Sequence, residues 1–423
     1  MLVLRYSKRR VRSVLTLLAL LFTATLEPRA TQIQPSGNEA VKAIRFRKLI
    51  TMNGPAIDDA VVVVEGERIR AIGHEVPPNA LVTDLRRYTG IPGLIDVHVH
   101  LSYAVERRPG ADPFAERPTA VSVFLAQDNA RRTLESGVTT VRSMTRPDGA
   151  DYLIRQLIEM GAMQGPRIVV GGQMSRAWRN SDPDAATLLA LQRIAAGADL
   201  IKMFGSTGSG ANVTGTQTFT YEEMAAVVDV AHRLGKRVAV HSYGPEAARD
   251  AVRAGADSIE HAVDLDEATL AEMARRQVVY VPTVDHNRYY AEHAGEFRYT
   301  DQDVRNLNAF IVRNLETLRR AINTRVPIAM GSDAVFTMFG ENSRELRWFV
   351  QAGMTTEQAL ATATTNAAAL LGLEGKVGVL TPGAFADLVA IEGDPLASID
   401  NVINGVRWVM KGGAVVVERG VGR

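Results

Sequence analysis

Between residues 91 and 375 the chain alternates short apolar runs with stretches of helix-forming composition, and this alternation constrains the fold more than any other feature. The apolar runs cover 93–98, 138–143, 167–172, 200–204, 237–241, 258–261, 278–283 and 327–333. Each has the length of a buried strand, and segments between them, such as 221–234, 244–254, 266–276 and 306–323, carry apolar residues at helical spacing. Strands that alternate with helices lie parallel, because the helix returns the chain to the same end of the sheet. Eight such units predict an α/β fold, a closed (β/α)8 TIM barrel rather than an open sheet.

The chain ends read differently. Runs at 43–47, 60–65 and 68–72 are separated by Asn53-Gly54-Pro55 and Glu65-Gly66, a hairpin-rich pattern that cannot enclose a core alone. Short β-rich runs return at 383–391 and 406–418. We expect one small β-sandwich domain built from 40–90 and 376–423, with the barrel, 91–375, inserted between its halves. Residues 1–30 read as a signal peptide: Arg5, Lys8, Arg9, Arg10 and Arg12 precede an apolar stretch from 14 to 26 that is shorter than a membrane span. The expected location is periplasmic or secreted, with an uncleaved signal as the sole membrane contact. A net charge of +1 gives no reason to expect a nucleic-acid partner.

Barrels carry their chemistry at the C-terminal ends of the strands. The first run, Ile91-Pro-Gly-Leu-Ile-Asp-Val-His98-Val-His100, ends in two histidines that project to the same side, since residues two apart in a strand do so. The fourth ends in Lys202-Met-Phe204, the fifth in His241, the sixth in His261 and the eighth in Asp333, so four of the chain's 8 histidines stand at strand ends. With 0 cysteines, any transition metal must be held by His, Asp, Glu or a modified Lys, which favours zinc or its neighbours.

The long segment 284–299 reads either as a helical cap over the barrel or as a pocket loop that holds His286, has Tyr289 and Tyr290 as apolar wall, and places Arg288 to pair with a substrate carboxylate. Tyr243 is a second candidate for carboxylate or oxyanion contact. The glycine-rich stretch 205–215 lacks the Gly-Lys-Ser/Thr ending of a phosphate loop and reads as a wall or lid beside Lys202. Trp178, Phe336 and Phe339 suggest an apolar pocket, whereas His74 and His232 read as structural.

Taken in order, the entry ending in His98 and His100, then Ile201-Lys202, Val240-His241, Ser258-Ile-Glu-His261, Gly331-Ser-Asp333, Ala368-Ala-Leu-Leu-Gly372 and Pro382-Gly-Ala-Phe-Ala-Asp-Leu-Val389, the chain resembles the amidohydrolase superfamily. Within it, the likeness is to the imidazolonepropionase-like branch that includes Xaa-Pro dipeptidases and ochratoxin-degrading amidases. The resemblance implies two divalent ions, zinc by preference. His98, His100 and Asp333 would hold one and His241 and His261 the other, with Lys202 carboxylated on its amine as the bridge. An ammonium would repel the ions, but a neutral amine that captures carbon dioxide becomes an anionic two-oxygen ligand. A metal-bridging hydroxide would then attack an amide carbonyl, with Asp333 as base. The implied substrate is a dipeptide or N-acyl amino acid with a free carboxylate, ochratoxin-type amides included, and this branch is often homo-oligomeric. The alternatives are a cyclic-amide hydrolase of imidazolonepropionase type, which uses one metal and has no need of Lys202, and an inactive binding or assembly barrel, a fate that erases ligands present here.

Overall fold

Two sheets meet at Gly93, where a Cβ would stand 2.1 Å from Thr139 Oγ1, so the backbone passes at a distance only glycine permits. The computed structural model describes residues 40–103, 117–144, 149–177 and 180–419; the expected signal peptide and Trp178 lie outside the described residues. After Gly93 come seven parallel strands, Leu94–Val99, Val138–Met144, Arg167–Met174, Leu200–Phe204, Arg237–His241, Ser258–Glu260 and Val279–Val281, hydrogen-bonded in sequence order.

The eighth segment closes the circle with isolated bridges instead of a full ladder. Tyr280 N donates to Pro327 O at 2.8 Å on one side, while Val97 N donates to Met330 O at 2.9 Å and Asp333 N to His98 O at 2.7 Å on the other. Gly331 permits this closure, because a Cβ there would lie 2.7 Å from His98 Cβ. The helices between strands start on sequence-local caps. Asp266 accepts from Thr269 N at 2.7 Å to open Glu267–Arg276, and Thr220 and Glu223 form a capping box for Tyr221–Arg233.

The second sheet has eight strands and comes from both ends of the chain: Lys42–Leu49, Ile57–Asp58, Val61–Glu65, Arg68–Gly73 and Leu81–Pro92 from one, Leu388–Ile391, Val406–Lys411 and Ala414–Glu418 from the other. Leu81–Pro92 was not expected as a strand. Its first half is exposed apart from Thr83 and Leu85, yet it pairs parallel with Lys42–Leu49, and its second half pairs antiparallel with Leu388–Ile391, joining the two ends. Trp408, 1% exposed, fills the core beneath this sheet. Asp387 anchors the sheet to the barrel through Arg167, 2.7 Å away on the third barrel strand. Among the described residues no helix is long and apolar enough to cross a membrane.

Candidate active site

The strand ends converge as the (β/α)8 geometry requires. His98, His100 and Asp333 present ligand atoms that all lie within 4.8 Å of one another. His98 and His100 leave the first strand on one side, and Asp333 faces them because the closing segment pairs with that same strand. Lys202 Nζ lies 3.0 Å from His98 Nε2. The His261 ring is 4.8 Å from that of His98 and 4.6 Å from that of His241, centroid to centroid. None of these six residues is more than 9% exposed. His261 and Asp333 sit just past their strands with φ of 73° and 52°. That left-handed turn costs an L-residue about 1 kcal/mol and aims each side chain back over the barrel mouth.

Burial sets the protonation of the cluster. Desolvation, then the charge of Lys202, holds His98 well below the usual imidazole range and His241 down to about 3, so both rings are neutral, each with one nitrogen able to accept. Desolvation likewise lowers Lys202 to about 8, against the opposing pull of Glu260 and Asp333. For Asp333 burial acts upward, but His286, His98 and His100 outweigh it and keep the carboxyl ionised, well below the usual range. Three buried atoms, His100 Nδ1, His241 Nε2 and Asp333 Oδ1, make no hydrogen bond. Even the 3.1 Å approach of His100 Nε2 to Asp333 Oδ1 lacks hydrogen-bond geometry. Unpaired buried atoms in a cluster of imidazoles and a carboxylate whose ligand atoms lie within 4.8 Å of one another fit a divalent cation.

Behind the cluster lies a network that the sequence reading missed. His98 Nδ1 is 2.6 Å from Glu260 Oε2, and Glu260 Oε1 accepts from Arg142 at 2.8 Å and from Ser258 Oγ at 2.5 Å. Arg142 is itself buried at 2% exposure and also donates to Ser258 Oγ at 3.1 Å and to the Val97 carbonyl. A carboxylate on Nδ1 fixes the ring so that Nε2 presents its lone pair to the centre. The signal was available: strand alternation puts Ser258 and Glu260 on one face, and that face is the barrel interior. Glu260→Gln is expected to weaken zinc affinity roughly 10- to 100-fold, read by competition with a chromophoric chelator. An unchanged affinity would remove Glu260 from this role.

The segment after the seventh strand takes the helical of its two readings, Val284–Glu292, because the buried Glu345 carboxyl accepts from Val284 N at 2.9 Å and Asp285 N at 2.8 Å and so caps its first turn. His286 is thereby delivered to the centre, with Nδ1 donating to the Asp333 carbonyl at 2.8 Å and Nε2 3.3 Å from Asp333 Oδ2. The expectation for Arg288 is corrected: its guanidinium is taken by Asp285 at 2.8 Å, by Glu341 at 3.1 Å and by Glu292, so it braces the helix instead of awaiting a substrate. The Tyr289 hydroxyl bonds Thr337 Oγ1 at 2.7 Å, and the Tyr290 ring is set edge-on against His286, 4.8 Å away.

Tyr243 stacks on His241 at 5.1 Å and on Phe310 at 4.7 Å, with its hydroxyl facing Asn287. The glycine-rich loop forms a wall there, since a Cβ on Gly208 would lie 2.5 Å from the Tyr243 ring. Phe336 packs edge-on to Tyr103 at 6.1 Å, and Phe339 is fully buried. His232 pairs with Asp257 at 2.9 Å, away from the site.

Residues 89–416 match the amidohydrolase family, and the chain belongs to it. It is a hydrolase acting on amide C–N bonds. Among solved structures it is similar to a Xaa-Pro dipeptidase with methionine bound in the active site, at a TM-score of 0.80 and 30% identity, covering 89% of this chain and 99% of that one. It is 25% identical to the ochratoxinase of Aspergillus niger across 94% of this chain and 91% of that protein. An imidazolonepropionase of Alkaliphilus metalliredigens is 23% identical across 86% of this chain and 92% of its own.

Proposed function

We propose that the protein is a binuclear metal-dependent amidase or dipeptidase that cleaves the amide bond of a dipeptide or N-acyl amino acid bearing a free carboxylate, with ochratoxin-type amides in that class. The observation that carries this reading is the position of Lys202, buried at 1% exposure and 3.0 Å from His98 Nε2. At about 8, its amine is far more often neutral near physiological pH than an ordinary lysine. The neutral nitrogen adds to carbon dioxide, forming an N–C bond and releasing one proton, and the carbamate so made is anionic. His98, His100 and Asp333 would hold one ion, His241 and His261 the other, and carboxylated Lys202 would join both. Divalent ions bound there acidify water and polarise the scissile carbonyl.

The chain's own groups handle the protons. Asp333, kept ionised by its histidines, accepts the proton of the attacking water and delivers it to the leaving nitrogen as the C–N bond breaks. His286, anchored on the Asp333 carbonyl, orients that carboxylate from the opposite side. Tyr243 and Tyr290 line the approach as neutral hydroxyl donors and apolar walls. The imidazolonepropionase reading is the weaker one, because a single-metal site leaves the buried Lys202 without a task. The proposed setting is an exported homo-oligomer, on the basic-then-apolar sequence of the first thirty residues and the habit of the branch.

The test is a hydrolysis screen of the zinc-loaded full chain against dipeptides, N-acyl amino acids and cyclic amides. Release of free amino acids from the first two classes is expected. Turnover of cyclic amides alone would overturn the proposal.

A further inference from the structure

We propose that Asp96 is a positioning residue that sets the separation of the ligands assigned to one ion, tying the strand that carries His98 and His100 to the segment that carries Asp333. This rests on the binuclear reading above and adds to it the group that keeps the two sides of that site in register. Asp96 is 0% exposed and stands two residues before His98. Its Oδ1 accepts from His98 N at 3.1 Å and from Ser332 N at 3.0 Å, while its Oδ2 accepts from Ser332 Oγ at 2.5 Å and from Asn342 Nδ2 at 2.9 Å. A carboxyl group is costly to bury, and four hydrogen bonds are what makes this one tolerable. Two of them grip backbone: that of His98 itself, and that of the residue just before Asp333.

The barrel's closure creates the need. The first strand meets the closing segment through an isolated bridge, Val99 to Ala334, and not through a ladder, so backbone pairing alone fixes their spacing weakly. Asp333 also sits in a left-handed turn, at a φ of 52°. Ser332 Oγ, bonded to Asp96, accepts from Ala334 N at 3.1 Å, so this turn is held on both sides of Asp333. The fourth bond extends the tie. Asn342 opens the short turn that leads into Glu345, and the Glu345 carboxyl caps the helix bearing His286. Three segments that supply groups to the centre therefore meet at Asp96. In such a junction the match of donors to acceptors matters, and not which residue brings the charge.

The experiment exchanges Asp96 and Asn342. In Asp96→Asn an amide Nδ2 faces the Asn342 Nδ2, two donors with no acceptor between them. In Asp96→Asn/Asn342→Asp the amide at 96 donates to the carboxylate at 342, and the junction is paired again. Zinc affinity of the full chains is read by competition with a chromophoric chelator, with Tm beside it. Asp96→Asn is expected to weaken zinc affinity roughly 10- to 100-fold, and the double exchange to restore it. A merely structural carboxyl would lower Tm in Asp96→Asn and leave zinc affinity where it was. That result would overturn the proposal, as would a double exchange that regains Tm without regaining affinity. Should Asp96→Asn not fold, Ser332→Ala takes its place, since it keeps the backbone bond to Asp96 and loses only the hydroxyl; weakened affinity is expected, and unchanged affinity overturns the proposal. A wild type that binds no zinc overturns the binuclear reading and this proposal together, whereas wild-type binding that Asp96→Asn leaves untouched overturns this one alone.

Discussion

Lys202→Ala is expected to lower kcat/KM for amide hydrolysis by roughly a thousandfold, about 4 kcal/mol of transition-state stabilisation, with partial recovery in acetate or propionate. The physical case begins with burial. An ammonium at 1% exposure, beside His98 and within the field of Arg142, has no favourable place in an otherwise cation-binding cluster. Capture of carbon dioxide would turn it from a repelling charge into a bridging ligand. Alanine removes that ligand and leaves a cavity of lysine's shape, where a short carboxylate can supply the two oxygens that the carbamate provided. Lys202→Arg makes a sharper control, because a guanidinium does not take up carbon dioxide and fills the cavity, so added acids should not rescue it. Full activity of Lys202→Ala without added acid would refute the bridging role.

The parts of this protein that were legible in its sequence are those decided by local pattern. Seven barrel strands are buried on both faces and read as near-continuous apolar runs, as parallel strands do. Their last residues could be named in advance because the architecture ties strand ends to the site. What could not be read depended on distant partners. Leu81–Pro92 is a strand because Lys42–Leu49 and Leu388–Ile391 flank it, not because its own composition asks for one. Whether 284–292 is a loop or a helix stayed open in the sequence because the group that caps its first turn, Glu345, lies about sixty positions on. Arg288 was misread for the opposite reason. Asp285 and Glu292 stand three before and four after it, the spacing of helical ion pairs, and that local signal outweighed proximity to the pocket. Glu260 was within reach of strand alternation, which puts it on the barrel's inner face with Ser258.

Metal removal is the other change expected to have a large effect. Chelation should abolish turnover, and the stripped protein should become acid-sensitive. Burial holds His98, His241, His261 and His286 below the ordinary value of 6.5 in the folded chain, so the unfolded chain binds protons that the folded one refuses. The stability these neutral histidines contribute is complete above 6.5 and is lost as pH falls from there toward the folded values, about 3 for His241. Asp96, which burial raises to about 6 despite hydrogen bonds from Ser332 and Asn342, acts in the other direction: it favours the folded chain as pH falls through 6. Glu345, which burial raises well above the usual carboxyl range, acts in the same direction as Asp96, but four histidines against two carboxyls should still leave the metal-free Tm lower at pH 5 than at pH 7.5.

All of this rests on the two histidine pairs, Lys202 and Asp333 forming one centre for two ions. Elemental analysis of the full chain after metal-replete expression, set beside Lys202→Ala, tests that directly. Two transition-metal ions per chain in the wild type, falling to about one when the bridge is removed, is the predicted result. One ion or fewer per wild-type chain, unchanged in the variant, would contradict it.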